Sequence, residues 1–141
     1  MRLVVDHSLV ASCDDVFVVV DDLGRYPSWT GLVHSAELVG DDTWTVQLRA
    51  RIGPLARSKK LTMARVVRDA PRHVRFERRE NDGRSHGEWI LDVTVEPGGP
   101  DRTRLVMILS YGGRLWTSVV EKVLHDEIEA SKRRLDALLA G

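Results

Sequence analysis

The sequence predicts an α+β fold in which a curved antiparallel sheet of about seven strands wraps around one long C-terminal helix, with two short helices after the first strand. Three observations carry this prediction. Segments between residues 43 and 111 alternate apolar and polar residues, separated by Gly, Pro, Asn and Asp clusters. After Gly112-Gly113 the period becomes helical and holds to the end. Between residues 12 and 29, capping signals bracket short apolar runs.

Residues 3–9 form an apolar-rich first strand. The next stretch, DDVFVVVDDLGRYPSW (14–29), has the β-branched content of a strand. Ser12 and Asp15 nevertheless make a capping-box-like S-x-x-D, and Asp14 and Asp15 suit a helix N-terminus. Val16, Phe17 and Val20 share a helical face. Asp21-Asp22, Gly24 and Tyr26-Pro27 then break the segment, so it reads as two short helices ending near Trp29. In TWTVQLRARI (43–52) the even positions are apolar and the odd ones polar, a strand with one wet face. Residues 53–58 read as a connection and 59–69 as the next strand, where two parities compete. Asp69-Ala70-Pro71-Arg72 is a turn, followed by a strand at 73–80. Asn81-Asp82-Gly83-Arg84 is a hairpin signal. A strand at 86–96, a turn at 97–101 and a strand at 102–111 complete the sheet. Trp116, Val120, Leu124, Ile128, Ser131, Leu135 and Leu138 form a stripe at helical spacing. About 25 residues at ~1.5 Å each give a helix of about 38 Å. Such a helix needs an apolar surface to cover, and a one-sided sheet needs a lid, which leaves a cavity between them.

The 141 residues fit a single domain spanning 1–141. Cys13 is the only cysteine, which excludes an internal disulfide. No apolar run reaches the length of a membrane span, and an aspartate and a histidine interrupt the N-terminal stretch, so a soluble, cytoplasmic protein is expected. His7, His34, His73, His86 and His125 are scattered without metal-ligand spacing, so no metal is expected. Nucleotide fingerprints and phosphate loops are absent from the sequence, and no cofactor is expected. The 21 basic and 21 acidic residues balance, but residues 49–88 hold 12 basic against 5 acidic. This basic middle third reads as a solvated sheet face or as a binding surface. Aromatics do not interleave with its basic positions, which argues against nucleic acid.

Several of these segments also resemble one family. They are Ala11-Ser12, Val16-Phe17, Val20, Asp21-Asp22, Tyr26-Pro27 and Trp29, then Gly53-Pro54-Leu55. Arg68-Asp69-Ala70-Pro71-Arg72 before Val74-x-Phe76, and the terminal helix, match in kind. Together they are similar to the START-like (SRPBCC) superfamily, polyketide cyclase/dehydrase and coenzyme-Q-binding type. The resemblance implies a helix-grip fold that holds a hydrophobic small molecule or lipid between sheet and helix. Members include carriers and enzymes, so whether this chain is an enzyme stays open. No catalytic residue transfers by motif.

In an antiparallel meander alternate connections lie at one end. The loops at 53–58, 81–85 and 112–114 therefore share an end, with Arg57, Arg84 and Arg114 at the expected cavity mouth. Lys59, Lys60 and Arg79 sit just inside. A basic mouth suits a ligand with an anionic or strongly hydrogen-bonding head, or transient contact with an anionic membrane surface. The alternative is ordinary solubilising charge. Arg78 shares parity with Val74 and Phe76 and should face inward, where it needs a ligand, a helix partner such as Glu127, or the rim. Arg65 follows the same logic in an uncertain register. Tyr111 is expected at the cavity, and Trp44, Trp89, Met107, Trp116, Val120 and Leu124 complete the candidate ligand-binding set.

The leading expectation is a binding or carrier protein for a lipid, quinone or polyketide-like molecule. The alternative is a cyclase, aromatase or dehydratase in which Arg78, Tyr111 and Arg65 polarise carbonyls. A third reading is an interaction module with a collapsed cavity. Oligomeric state is open.

Overall fold

The computed structural model describes residues 2–52, 54–112 and 118–141. The elements are β1 (Arg2–Leu9), α1 (Cys13–Val20), a 3-10 helix (Leu23–Ser28), β2 (Val33–Gly40), β3 (Thr43–Ile52), β4 (Leu55–Asp69), β5 (His73–Arg78), β6 (Trp89–Pro97), β7 (Thr103–Tyr111) and α2 (Ser118–Ala140). The seven strands form one antiparallel sheet in the order β1-β7-β6-β5-β4-β3-β2. α1 and the 3-10 helix carry the chain from one edge strand to the other. α2 meets the sheet chiefly at β1 and β3.

The valine-rich stretch is helical because its caps and its burial agree. Ser12 is the N-cap, its Oγ accepting from Asp15 N–H at 3.1 Å. Val16, Phe17, Val19 and Val20 are all buried, so the face that propensity assigns to a sheet packs beneath it as a helix. Asp22 caps the 3-10 helix by accepting from Gly24 N–H at 2.8 Å. The fully buried Tyr26 hydroxyl donates to the Val20 carbonyl at 2.8 Å and ties the two helices together.

Burial, reinforced by the charges of Asp21 and Asp22, pushes the Tyr26 phenol well above its usual range. Its neutral form is the one the fold accepts, so its contribution is complete below the unfolded-chain pKa of about 10 and is lost as pH rises beyond it. Tyr26→Phe is expected to cost about 1 kcal/mol at neutral pH, from the lost hydrogen bond. It is also expected to flatten the alkaline limb of the stability curve, read by denaturant titrations across that range.

Three expectations need correction, and one strand adds to them. β4 begins at Leu55 rather than 59, and Ile52 pairs with Leu55, so residues 55–58 are strand. β2 was not singled out because it does not alternate: it lies at the sheet edge, with Leu38 and Val39 exposed. The Asn81-Asp82-Gly83-Arg84 signal does not make a tight hairpin. Residues 79–88 all lie between β5 and β6, and Asp82 turns the chain locally by accepting from Arg84 N–H at 2.9 Å, next to Gly83 at φ +73°. In α2, Leu124, Ser131 and Leu135 are buried, but the stripe continues to Leu139 while Leu138 is 46% exposed. The 3.6-residue period favours the four-residue step there.

The competing parities of β4 have a local cause. Leu61 and Met63 are buried, and Arg65 pairs with Phe76. An irregularity between Arg65 and Val67 then shifts the register, so Arg68 comes opposite Val74. The core lies between the sheet and the helices, centred on Val74, Phe76, Val93 and Val95, all with no exposed surface.

Candidate functional site

A cavity of about 170 Å³ lies between the sheet and α2. Strand residues such as Leu61, Met63, Leu91, Leu105, Met107 and Leu109 form its floor. Leu23, Tyr26, Trp29 and Thr30 form one wall, and Ile128, Ser131, Lys132 and Leu135 on α2 form another. The wall is almost wholly apolar because inward-facing strand positions and the buried α2 stripe supply it.

The hydroxyl, amine and imidazole groups that reach the lining already have partners. Ser131 Oγ donates to the Glu127 carbonyl at 2.7 Å and lies 2.9 Å from Thr30 Oγ1. Lys132 Nζ donates to Glu129 at 3.1 Å, and this bond holds the Glu129 carboxyl below its usual range. His7, on the inward parity of β1, places Nε2 2.7 Å from Asp136 Oδ1 of α2. The indole Nε1 atoms of Trp29 and Trp89 are buried on the lining side chains without an acceptor among the described residues. Among the described residues no group of three His, Cys, Asp or Glu could hold a metal ion.

Of the sequence candidates, the structure brings Trp89 and Met107 to the lining. Trp44 is buried outside it, edge-on to Phe76 at 5.8 Å. Leu124 is buried on α2 but does not border the cavity. Tyr111 is buried and stacks on Trp89 at 5.4 Å without joining the lining. Arg65 turns away from the cavity. It pairs with Asp42, donates to the Asp21 carbonyl at 2.6 Å, and lies 5.3 Å over the Trp44 ring.

Arg78, 10% exposed, finds its partner in Glu80: Nε reaches both carboxylate oxygens at 2.8 Å. It also donates to the Gly87 carbonyl at 3.3 Å and lies 3.1 Å from His86 Nδ1. Glu127 instead accepts from Gly31 N–H and from Arg134. Arg57 stands exposed on β4 opposite Ala50, and Arg84 is exposed in the 79–88 connection. Arg114 and Trp116 lie outside the described residues, as does the Val120 side chain.

Sequence reasoning did not place Leu23, Tyr26, Trp29 and Thr30 at the cavity, since they read only as a cover. It also passed over His7, although the alternation Leu3, Val5, His7, Leu9 puts that histidine on the core face.

The chain matches the family described as polyketide cyclase/dehydrase and lipid transport over residues 2–140. No curated protein matches it. Among solved structures it is similar to a START superfamily protein from Mycobacterium smegmatis, at 16% identity and a TM-score of 0.73, covering 99% of this chain and 97% of that one. A conserved protein from Geobacillus kaustophilus is 15% identical with a TM-score of 0.77, covering 99% and 95%. An aromatase/cyclase from Streptomyces is 14% identical with a TM-score of 0.70, covering 99% and 93%. At these identities the structural likeness establishes the helix-grip fold. None of the described helices is long and apolar enough to cross a membrane.

Proposed function

The chain belongs to the polyketide cyclase/dehydrase and lipid transport family, and from that premise we propose that it binds a hydrophobic small molecule of lipid, quinone or polyketide type, as a carrier or binding protein. The observation that carries this reading is the apolar cavity between the sheet and α2. An apolar void of about 150 Å³ stays dry and takes up a benzene-sized guest. A cavity of 170 Å³ therefore suits a single ring or a short stretch of chain. The buried indole N–H groups of Trp29 and Trp89 favour a guest that carries carbonyl oxygens, because a small turn of either ring would satisfy a donor that now lacks an acceptor.

Native mass spectrometry of freshly purified protein, followed by solvent extraction, tests this reading. A retained apolar species, released on denaturation, supports it. An apo mass that persists after incubation with quinones, acyl chains and aromatic polyketones, with no shift in melting temperature, overturns it.

One observation favours the enzymatic alternative. His7 borders the cavity and is oriented by Asp136, an arrangement suited to general acid–base work on a bound carbonyl compound. Arg65, Arg78 and Tyr111, which the sequence suggested for that role, are turned to structural partners or packed behind the lining.

A further inference from the structure

The β3–β4 hairpin extends beyond both of its neighbours. The ladder to β2 begins at Val33 opposite Leu48, and the ladder to β5 ends at Met63 opposite Arg78. Past these rungs, among the described residues, the hydrogen bonds from neighbouring segments are few: the Leu32 carbonyl accepts from Arg49 N–H at 3.0 Å, and at Thr62 the carbonyl accepts from Arg79 N–H while the N–H donates to Glu80. The rungs Arg49↔Ser58, Ala50↔Arg57 and Arg51↔Ala56 therefore belong to a two-stranded arm with no strand on either side among the described residues.

The arm carries Arg49, Arg51, Arg57, Lys59 and Lys60, and residues 43–68 contain no acidic residue. Alternation puts Arg49, Arg51 and Lys60 on one face and Arg57 and Lys59 on the other. None of the five is in an ion pair among the described residues. Lys59 places its Nζ 5.9 Å over the Trp89 ring at the cavity. Glu80, which meets Thr62, is engaged with Arg78, and Glu127, which shares a groove with Arg49 and Arg51, is engaged with Arg134. Glu37 stands opposite Thr45, beyond the base of the arm. A merely solubilising surface intersperses both signs, and this arm does not.

The arm is joined to the cavity. Leu48 and Leu61 at its base line the cavity floor. Leu32 borders both the cavity and an adjoining groove walled by Arg49 and Arg51 on one side and by Val123 and the Arg134-paired Glu127 of α2 on the other. We propose that the β3–β4 arm is a docking surface for an anionic lipid bilayer, and that docking sets the groove and cavity against the membrane. Charge complementarity selects the negative surface. The apolar cavity behind the arm selects a bilayer over an acidic protein, because an apolar guest partitions into lipid. No aromatic side chain stands among residues 49–60 to stack on single-stranded nucleic acid. The inference rests on the reading of the cavity for its direction, but docking itself does not require a guest.

The test is sedimentation of the full chain with two kinds of vesicle, pure phosphatidylcholine and phosphatidylcholine with about 30% phosphatidylglycerol. Each is run at about 50 mM and about 500 mM salt, because screening removes a surface attraction. Binding is expected only to the anionic vesicles and only at low salt. Each cation at a membrane surface strengthens binding by about fivefold, so the triple variant Arg51→Gln, Arg57→Gln, Lys60→Gln should lose roughly 100-fold. Arg102→Gln with Arg133→Gln, exposed cations off the arm, should lose less than about fivefold. Circular dichroism checks that the variants fold. Failure of the wild-type chain to bind anionic vesicles at low salt overturns docking, including the case where it still binds soluble polyanions. Equal loss in both variants overturns the assignment to the arm. These outcomes are independent of whether a retained apolar species is found, so the cavity reading and the docking surface can fail separately.

Discussion

Replacing Leu109 by tryptophan is expected to abolish uptake of an apolar ligand while leaving the fold intact. Leu109 is half-buried, borders the cavity, and has Leu91 and Leu3 as its ladder neighbours. A larger side chain at this point fills the void instead of displacing packed neighbours. Cavity filling commonly raises stability by about 0.5–2 kcal/mol. Overpacking would instead cost about 1–3 kcal/mol, so denaturant melting distinguishes the two. Affinity for any extracted ligand should fall at least tenfold, about 1.4 kcal/mol. A filled variant that binds as tightly as the parent would move the ligand site out of this cavity.

Phe76→Ala is expected to be the most destabilising of the simple truncations, by about 3–5 kcal/mol. Phe76 has no exposed surface and is the shared neighbour of two aromatic rings. Tyr26 stands edge-on at 6.3 Å and Trp44 at 5.8 Å. Its removal loses the transferred area, leaves a void, and frees the Tyr26 ring that walls the cavity. Against a total of about 5–15 kcal/mol for a small domain, that loss is visible as a large drop in the denaturation midpoint. A cost below about 1.5 kcal/mol would mean that the centre of the sheet relaxes to fill the space, contrary to the close packing found there.

The contrast between the two positions shows what was legible beforehand. Phe76 could be assigned to the core face from the alternation in residues 73–78, and its burial follows directly. Leu109 has the same parity as Leu105 and Met107 and was equally assignable to the inward face. Whether an inward residue meets protein or open space is a different matter. It depends on where α2, the 3-10 helix and Trp29 come to rest above the sheet. The same limit explains the arginines. The inward parities of Arg65 and Arg78 follow from their strands. Their long side chains then reach along the sheet to carboxylates on other segments, Asp42 and Glu80, because leaving a guanidinium in an apolar cavity is far costlier than pairing it. Neither partner lies on the helix opposite, and neither could be named without the bulge at Arg65–Val67 and the long 79–88 connection.

By itself, then, the sequence determined the kinds and order of most elements, the capped helices at 13–28, the core faces of the strands and the stripe of α2. All of these are set by local period, capping and turn chemistry. The tertiary structure alone decided the edge strand β2, the projection of the basic β3–β4 arm and the choice between cavity wall and packed core. These depend on how far each strand outruns its neighbours and on where covering helices land, and such distances arise from contacts between residues far apart in the chain.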